Sequence, residues 1–431
     1  MQYPNVSKLV AAAAMTAAGA LVLAGCSAGT EAATATPEDV NITFGFWGSD
    51  DRAARTEQAI ALFEESHPNI SVEVSYADFD SYTQRLTTQA AGGGLPDVFA
   101  VPSELLVQFS ESGTIVDMAS LDPGVNTADI AEQYLAAATI DDTLWGVPLG
   151  RAASAFIYNP DVWAAAGLKA PDTLWTFDDL RDASKAIVDS TGGATVGVTD
   201  FGKFIEYFQI YLISQGKVLY TADGDLGFDE NDLEDYWSIT TGLVSDGLAT
   251  DAQVTSLFDG SMETSPLVAG TSAAELGAAS LIGAYDAALG TPVAAAAIPT
   301  AGDQSGLYAG VTSTAAIAAG GSDQQKAAAA EFLDFFINDV EAGKVLGFTR
   351  GLPPSQVVAD AISGDLQGSD LTLYEYDKSI ADVLQPAPPI FPAGVATVKP
   401  EFTRIYEDLS FGRLSVADAA AQAFKTFNDN L

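Results

Sequence analysis

From Trp47 to Arg52 an aromatic ring, a glycine, a hydroxyl, two carboxylates and a guanidinium follow one another without a break (Trp47-Gly48-Ser49-Asp50-Asp51-Arg52). Such a set could grip a ring that carries hydroxyl groups: the aromatic face covers the ring's apolar side, and the charged groups form directional hydrogen bonds around its rim. The same run could equally open a helix, with Asp50 or Asp51 as N-cap and Trp47 half buried. Other reactive types are scarce. The sole histidine, His67, precedes Pro68 and reads as a turn residue, so a Ser-His-Asp triad or a histidine-bound metal would have to use it. A G-x-S-x-G string at Gly25 to Gly29 lacks the strand-turn-helix setting of a hydrolase elbow. Asp223 to Asp229, with Glu234 at the twelfth position, has the outline of a calcium loop, but Gly227 and Phe228 stand where a ligand and a glycine belong. No catalytic residue, metal or cofactor is therefore assigned. Carboxylates are numerous enough that a secreted glycosidase remains a competing reading.

Charge and the first residues bound the setting. Fifty-eight acids oppose 18 bases, a net charge of −40, which excludes nucleic acid as a partner because a phosphate backbone needs a basic face. After Lys8, an Ala-rich apolar run of 17 residues, Leu9 to Gly25, ends in Leu23-Ala24-Gly25-Cys26. The run is short of the roughly 20 residues a spanning helix needs. Small residues there give a peptidase access, and the thiol of Cys26 can accept a diacylglyceryl group; the segment resembles a bacterial lipoprotein lipobox. Cys26 is the only cysteine, so no disulfide forms within the chain. Residues 1–26 thus read as a lipoprotein signal peptide and residues 27–39, small and polar, as a flexible tether to a lipid bilayer. The expected location is the outer face of the cell membrane.

From Val40 onward strands alternate with helices. Ile42, Phe44 and Phe46 share one strand face; Asp50 to Ser66 has helical spacing; Ile70, Val72, Val74 and Tyr76 alternate with polar residues; helices over Asp80 to Ala91 and Ser103 to Ser112 flank a third strand, Asp97 to Val101. The pattern restarts after Leu144 to Leu149, with a strand at Ala155 to Tyr158, a helix opened by Thr176 with Asp179 three residues on, a strand at Val196 to Thr199 and a helix over Phe201 to Ser214. Asp323 to Phe336 and Ser415 to Asn428 close the chain as helices. The fold class is α/β, with two lobes and a boundary near Gly150.

Several landmarks stand in a fixed order: Leu95-Pro96-Asp97-Val98, Leu144-Trp145-Gly146-Val147-Pro148, Ile157-Tyr158-Asn159-Pro160-Asp161, Pro171 through Leu180, and Gly351-Leu352-Pro353-Pro354. Together they resemble the family-1 extracellular solute-binding proteins of carbohydrate ABC transporters. Two departures are an extra residue within Thr173 to Thr176 and the absence of the family's glycine-framed tryptophan, with Tyr285-Asp286 in its place. The resemblance implies a two-lobed periplasmic-binding-protein-like (type II) fold, each lobe a mainly parallel sheet flanked by helices. It places residues 40–150 plus about 306–348 in the first lobe and 151–305 plus about 349–431 in the second, joined by three crossings that act as a hinge. It further implies a monomeric receptor that closes on a carbohydrate and delivers it to membrane permease subunits; a polyamine or peptide receptor of the same fold is the alternative. Ligands of open α/β sheets lie beyond the carboxyl ends of strands. That rule selects Trp47, Asp50, Asp51, Arg52, Ser103 and Glu104, with Asp80 and Tyr82 at a helix head, Arg151 past the crossing, Phe201 and Lys203 in the second lobe, and Tyr285, Asp286 and Tyr308 beyond them.

Overall fold

The computed structural model describes residues 39–389 and 395–431; the leader, Cys26 and the tether to Glu38 lie outside the described residues. In chain order the main elements are β1 (Val40–Trp47), α1 (Asp50–Ser66), β2 (Ile70–Ala77), α2 (Phe79–Gly92), β3 (Val98–Val101), α3 (Ser103–Glu111) and β4 (Val147–Arg151). There follow β5 (Ser154–Tyr158), α4 (Phe177–Thr191), α5 (Ile205–Ser214), α6 (Glu230–Ser245), β6 (Ala274–Ala278), α7 (Ile282–Leu289) and β7 (Ala294–Ala296). The chain then forms β8 (Val311–Ile317), α8 (Asp323–Asn338), α9 (Gly368–Ile380), α10 (Val395–Ser410) and α11 (Val416–Asn428).

Local chemistry sets several of these boundaries. Thr176 and Asp179 form a reciprocal capping box that starts α4, and Ser322 with Gln325 does the same for α8. Left-handed glycines, Gly93 and Gly192, end α2 and α4 without the Cβ clash other residues would meet. Asp229 is the cap of α6, where it accepts from the amides of Asn231 and Asp232.

The first lobe is built on a five-stranded sheet ordered β2-β1-β3-β8-β4. β1 pairs in parallel with β2 and β3, and β8 runs against both β3 and β4. The alternation of Ile42, Phe44 and Phe46 turns those side chains into a core that also receives Phe63 of α1 and Phe332 and Phe336 of α8. A mainly parallel sheet is the expectation for each lobe, and the first lobe has one. In the second lobe the three-stranded sheet β6-β5-β7 is antiparallel throughout. The cause is directional: β5 leaves the crossing at Ser154, and β6 returns to it, with Ala278 opposite Ser154. Parallel pairing survives beside β6, where Val196 bridges Ser272 and Val198 bridges Ala249.

Two large cores divide the chain. One draws on residues between Ile42 and Leu149 and between Ala309 and Leu346; the other on residues between Ala153 and Leu307 and between Phe348 and Phe427. Three extended segments run side by side between them. The amides of Arg151 and Leu352 bond each other's carbonyls at 2.9 and 2.8 Å, and the Ala152 amide donates to Gly310 O at 3.0 Å. The approach requires glycine: a Cβ on Gly150 would lie 1.9 Å from Arg350 O, and one on Gly310 would lie 2.1 Å from Ala152 O. Among the described residues no helix is long and apolar enough to cross a membrane.

Candidate ligand site between the lobes

The end of β1 meets the first expectation in part. Trp47 is half buried, its ring edge-on to Phe79 at 5.3 Å and tilted against Tyr82 at 5.7 Å. Because β1 and β2 run parallel in register, Trp47 opposite Ala77, the aromatic residues Tyr76 and Phe79 emerge beside it, 38% and 43% exposed. The N-cap of α1 is Ser49, neither Asp50 nor Asp51; both carboxylates occupy the first turn, where the helix dipole favours negative charge. Asp50 accepts from the Tyr76 hydroxyl at 3.1 Å, and Asp51 pairs with Arg55 one turn on at 3.1 Å. Both remain exposed.

Other expected contacts are structural. Arg52 donates Nε and Nη2 to Thr349 O at 3.0 and 2.6 Å and Nη1 to Trp47 O at 2.7 Å, tying the end of β1 to the third crossing. Tyr82 is 1% exposed and donates to Ala100 O, so it is a core residue and no rim contact. Arg151 is buried, with Nη1 on both oxygens of Asp377 at 2.7 and 2.9 Å and on the Tyr134 hydroxyl, Nε on Pro353 O and Nη2 on Gln356 Oε1. It fastens β4 to α9, with each of its three guanidinium nitrogens already bonded to the protein. Asp80 lies in the first turn of α2, and Ser103 and Glu104 open α3; their side chains are outside the described set.

In the second lobe the strand-end rule fails at Phe201 and Lys203. Phe201 is 2% exposed and stacks on Phe177 at 6.0 Å. Lys203 is 5% exposed, its ammonium donating to Thr255 O at 2.8 Å and to Phe258 O, and burial lowers its pKa. The reason is stagger. The Thr199 amide bonds Ala274 O, so this strand stops four residues short of the level of Ala278, where β6 ends. The turn that follows is sealed by α10: the Tyr406 hydroxyl donates to Asp200, and a Cβ on Gly202 would lie 2.1 Å from the Tyr406 ring. Tyr285 is also a correction, being 1% exposed and donating to Glu275 Oε1 at 2.6 Å, while Asp286 accepts from the Val293 amide and holds the loop after α7. Tyr308 is half buried at the second crossing, and burial pushes its hydroxyl up to about 12.

What does gather is a cavity of about 170 Å³ with walls from both cores. α1 contributes Asp51 and Arg55; the segment after β6 contributes Ser280 and Gly283; α9 contributes Ser369 and Asp370, and Thr349 closes it at the crossing. Burial raises the Asp370 pKa and the Arg55 charge opposes that rise, so a first-lobe cation faces a second-lobe carboxylate. Hydroxyls, two carboxylates and a guanidinium can hold a polar solute by charge-assisted hydrogen bonds. Of the expected residues only Asp51 lines it. Arg55, Ser280, Gly283, Ser369 and Asp370 were missed; the available signal was the end of β6, since the strand-end rule applied there selects Ala279 and Ser280. The buried carboxylates elsewhere are occupied: Glu275 accepts from Thr199, Ser265, Leu267 and Tyr285.

Among known proteins, the family model of bacterial extracellular solute-binding proteins matches residues 48–342. The chain belongs to that family. An extracellular solute-binding protein of Alicyclobacillus acidocaldarius superposes with a TM-score of 0.76 at 26% identity, over 91% of this chain and 99% of that one. An uncharacterised lipoprotein of Streptomyces antibioticus is 30% identical over 184 residues, 41% of this chain and 39% of that protein. The diacetylchitobiose-binding protein DasA of Streptomyces coelicolor is 24% identical over 184 residues, 42% of either chain. The chain thus spans less than half the length of these two curated relatives. The family is one of extracellular solute-binding proteins, and this member has the two-lobed α/β fold the sequence implies.

Proposed function

We propose that this receptor captures a carbohydrate between its lobes and delivers it, chemically unchanged, to the permease subunits of an ABC importer. The observation that carries the reading is the cavity bounded by α1 of one lobe and by α9 and the β6 end of the other, because closing a hinge around such a site encloses the solute. Trp47, Tyr76 and Phe79 form a partly exposed aromatic group at the end of β1, the strand that leads into α1, and a relative named for diacetylchitobiose binding supports a sugar. Cys26, acylated, would hold the monomeric receptor at the outer face of the membrane through the tether; the lipoprotein relative supports this.

A second reading rests on the cavity's charge. Asp51 and Asp370 outnumber Arg55, and the chain carries −40, which suits a polyamine or a basic peptide. A thermal-shift screen separates the two. A cognate solute at a hundred times its dissociation constant stabilises the fold by about 2.7 kcal/mol. The expected outcome is a shift with one or more saccharides and recovery of the saccharide intact; a shift with polyamines or peptides alone moves the solute class, and turnover of a glycoside replaces the receptor with a hydrolase.

A further inference from the structure

Arg350 sits on the third crossing with its side chain turned inward, 6% exposed. The guanidinium lies between two rings, 4.8 Å from the Phe46 centroid and 5.2 Å from that of Phe336. Nη2 donates to Thr56 Oγ1 at 2.8 Å, whereas Nη1 is buried and has no partner among the described residues. Two other arginines at the crossings are treated differently: Arg151 has Asp377, and Arg52 has three backbone acceptor contacts. No described carboxylate pairs with Arg350, and the charge acting on it is that of Arg52, which has the same sign.

Beside it is a cavity of about 20 Å³, lined by Leu149, Phe336, Gly347, Thr349 and Gly351 as well as by Arg350. That space takes roughly one water or one ion of similar size. Ring faces attract the cation but leave its N–H donors unsatisfied. A water would offer an acceptor without charge, while a buried guanidinium under the charge of a second, half-buried one calls for a negative charge. Polyatomic anions do not fit.

We propose that the pocket beside Arg350 is a binding site for a monatomic anion of the halide class, held by Nη1 and the positive field of Arg350 and Arg52. The site shares Thr349 with the solute cavity but is otherwise lined by different residues, and it is independent of the sugar reading. It is tested on the full chain by replacing sodium gluconate with sodium bromide at constant ionic strength, which removes general screening of the acidic surface. The expected result is a saturating rise in melting temperature of about 1–3 °C, absent in Arg350→Met. Crystals of the unaltered chain soaked in bromide are expected to show an anomalous peak within hydrogen-bond reach of Nη1, a readout that stands even if the variant fails to fold. A water there with no anomalous signal, or a halide effect that persists in Arg350→Met, overturns the proposal.

Discussion

The two walls of the cleft obey the same rule with different results. In the first lobe β1 ends at the cleft level, and the residues just past it, Trp47 through Asp51, stay partly or wholly exposed. In the second lobe the strand at Val196 to Thr199 stops short, and Phe201 and Lys203 disappear beneath α10 and the C-terminal end of the short helix Ala252–Leu257. A strand's carboxyl end marks a binding site only if it reaches the sheet's rim. Register decides that, and register is a property of pairs of strands, invisible in either one alone.

The sharpest way to break this contrast is to truncate the buried side. Phe201→Ala should cost about 3–5 kcal/mol of stability in denaturant titrations, because it empties a packed aromatic site. Solute affinity of the remaining folded protein should hardly move. A stable variant that has lost binding would return Phe201 to the cleft. A comparable loss, about 3–5 kcal/mol, is expected for Asp377→Ala, which leaves the Arg151 guanidinium buried without its partner. Unfolding midpoints read it directly, and a neutral outcome would contradict the role of Arg151 as a fastener.

Acidity offers the next test. Burial pushes the Asp200 carboxyl up to about 6 even though Tyr406 and the Gly202 amide donate to it. Between its unfolded value and about 6 the folded chain keeps a proton that the unfolded chain releases. Stability from this group is therefore fully present below the unfolded value and lost as pH rises through about 6, by about 3 kcal/mol in total. Asp200→Asn should flatten that component, seen as a difference between the two stability profiles from about pH 4 to about pH 7. Parallel profiles would show that Asp200 does not sit dry under α10.

Much of the fold was legible in the sequence because its signals are local. The bounds of α1 follow from apolar spacing and the Asp-rich first turn, and the capping box at Thr176 and Asp179 appears as expected. Hydrophobic alternation likewise placed Ile42, Phe44 and Phe46 in one core. The candidate site was legible only on the side where such signals suffice. Tyr285 looked like a free aromatic beside Asp286, yet its hydroxyl completes the shell of Glu275, ten residues earlier in the chain. Ser369 and Asp370 reach the cavity from a helix far along the chain, and nothing in their own neighbourhood marks them.

The smallest energetic effects lie in the cavity and bear most on function. Gly283→Ala would place its Cβ 3.2 Å from the flexible Ser369 hydroxyl, so stability should change by less than about 0.5 kcal/mol while affinity falls severalfold. The most direct test of the central claim is calorimetric titration of the cognate solute into the unaltered protein and into Asp51→Ala and Asp370→Ala, one from each wall. Each variant should lose about tenfold in affinity, roughly 1.4 kcal/mol, with its unliganded unfolding midpoint unchanged. Full affinity in both variants would contradict a solute held between the lobes at this cavity.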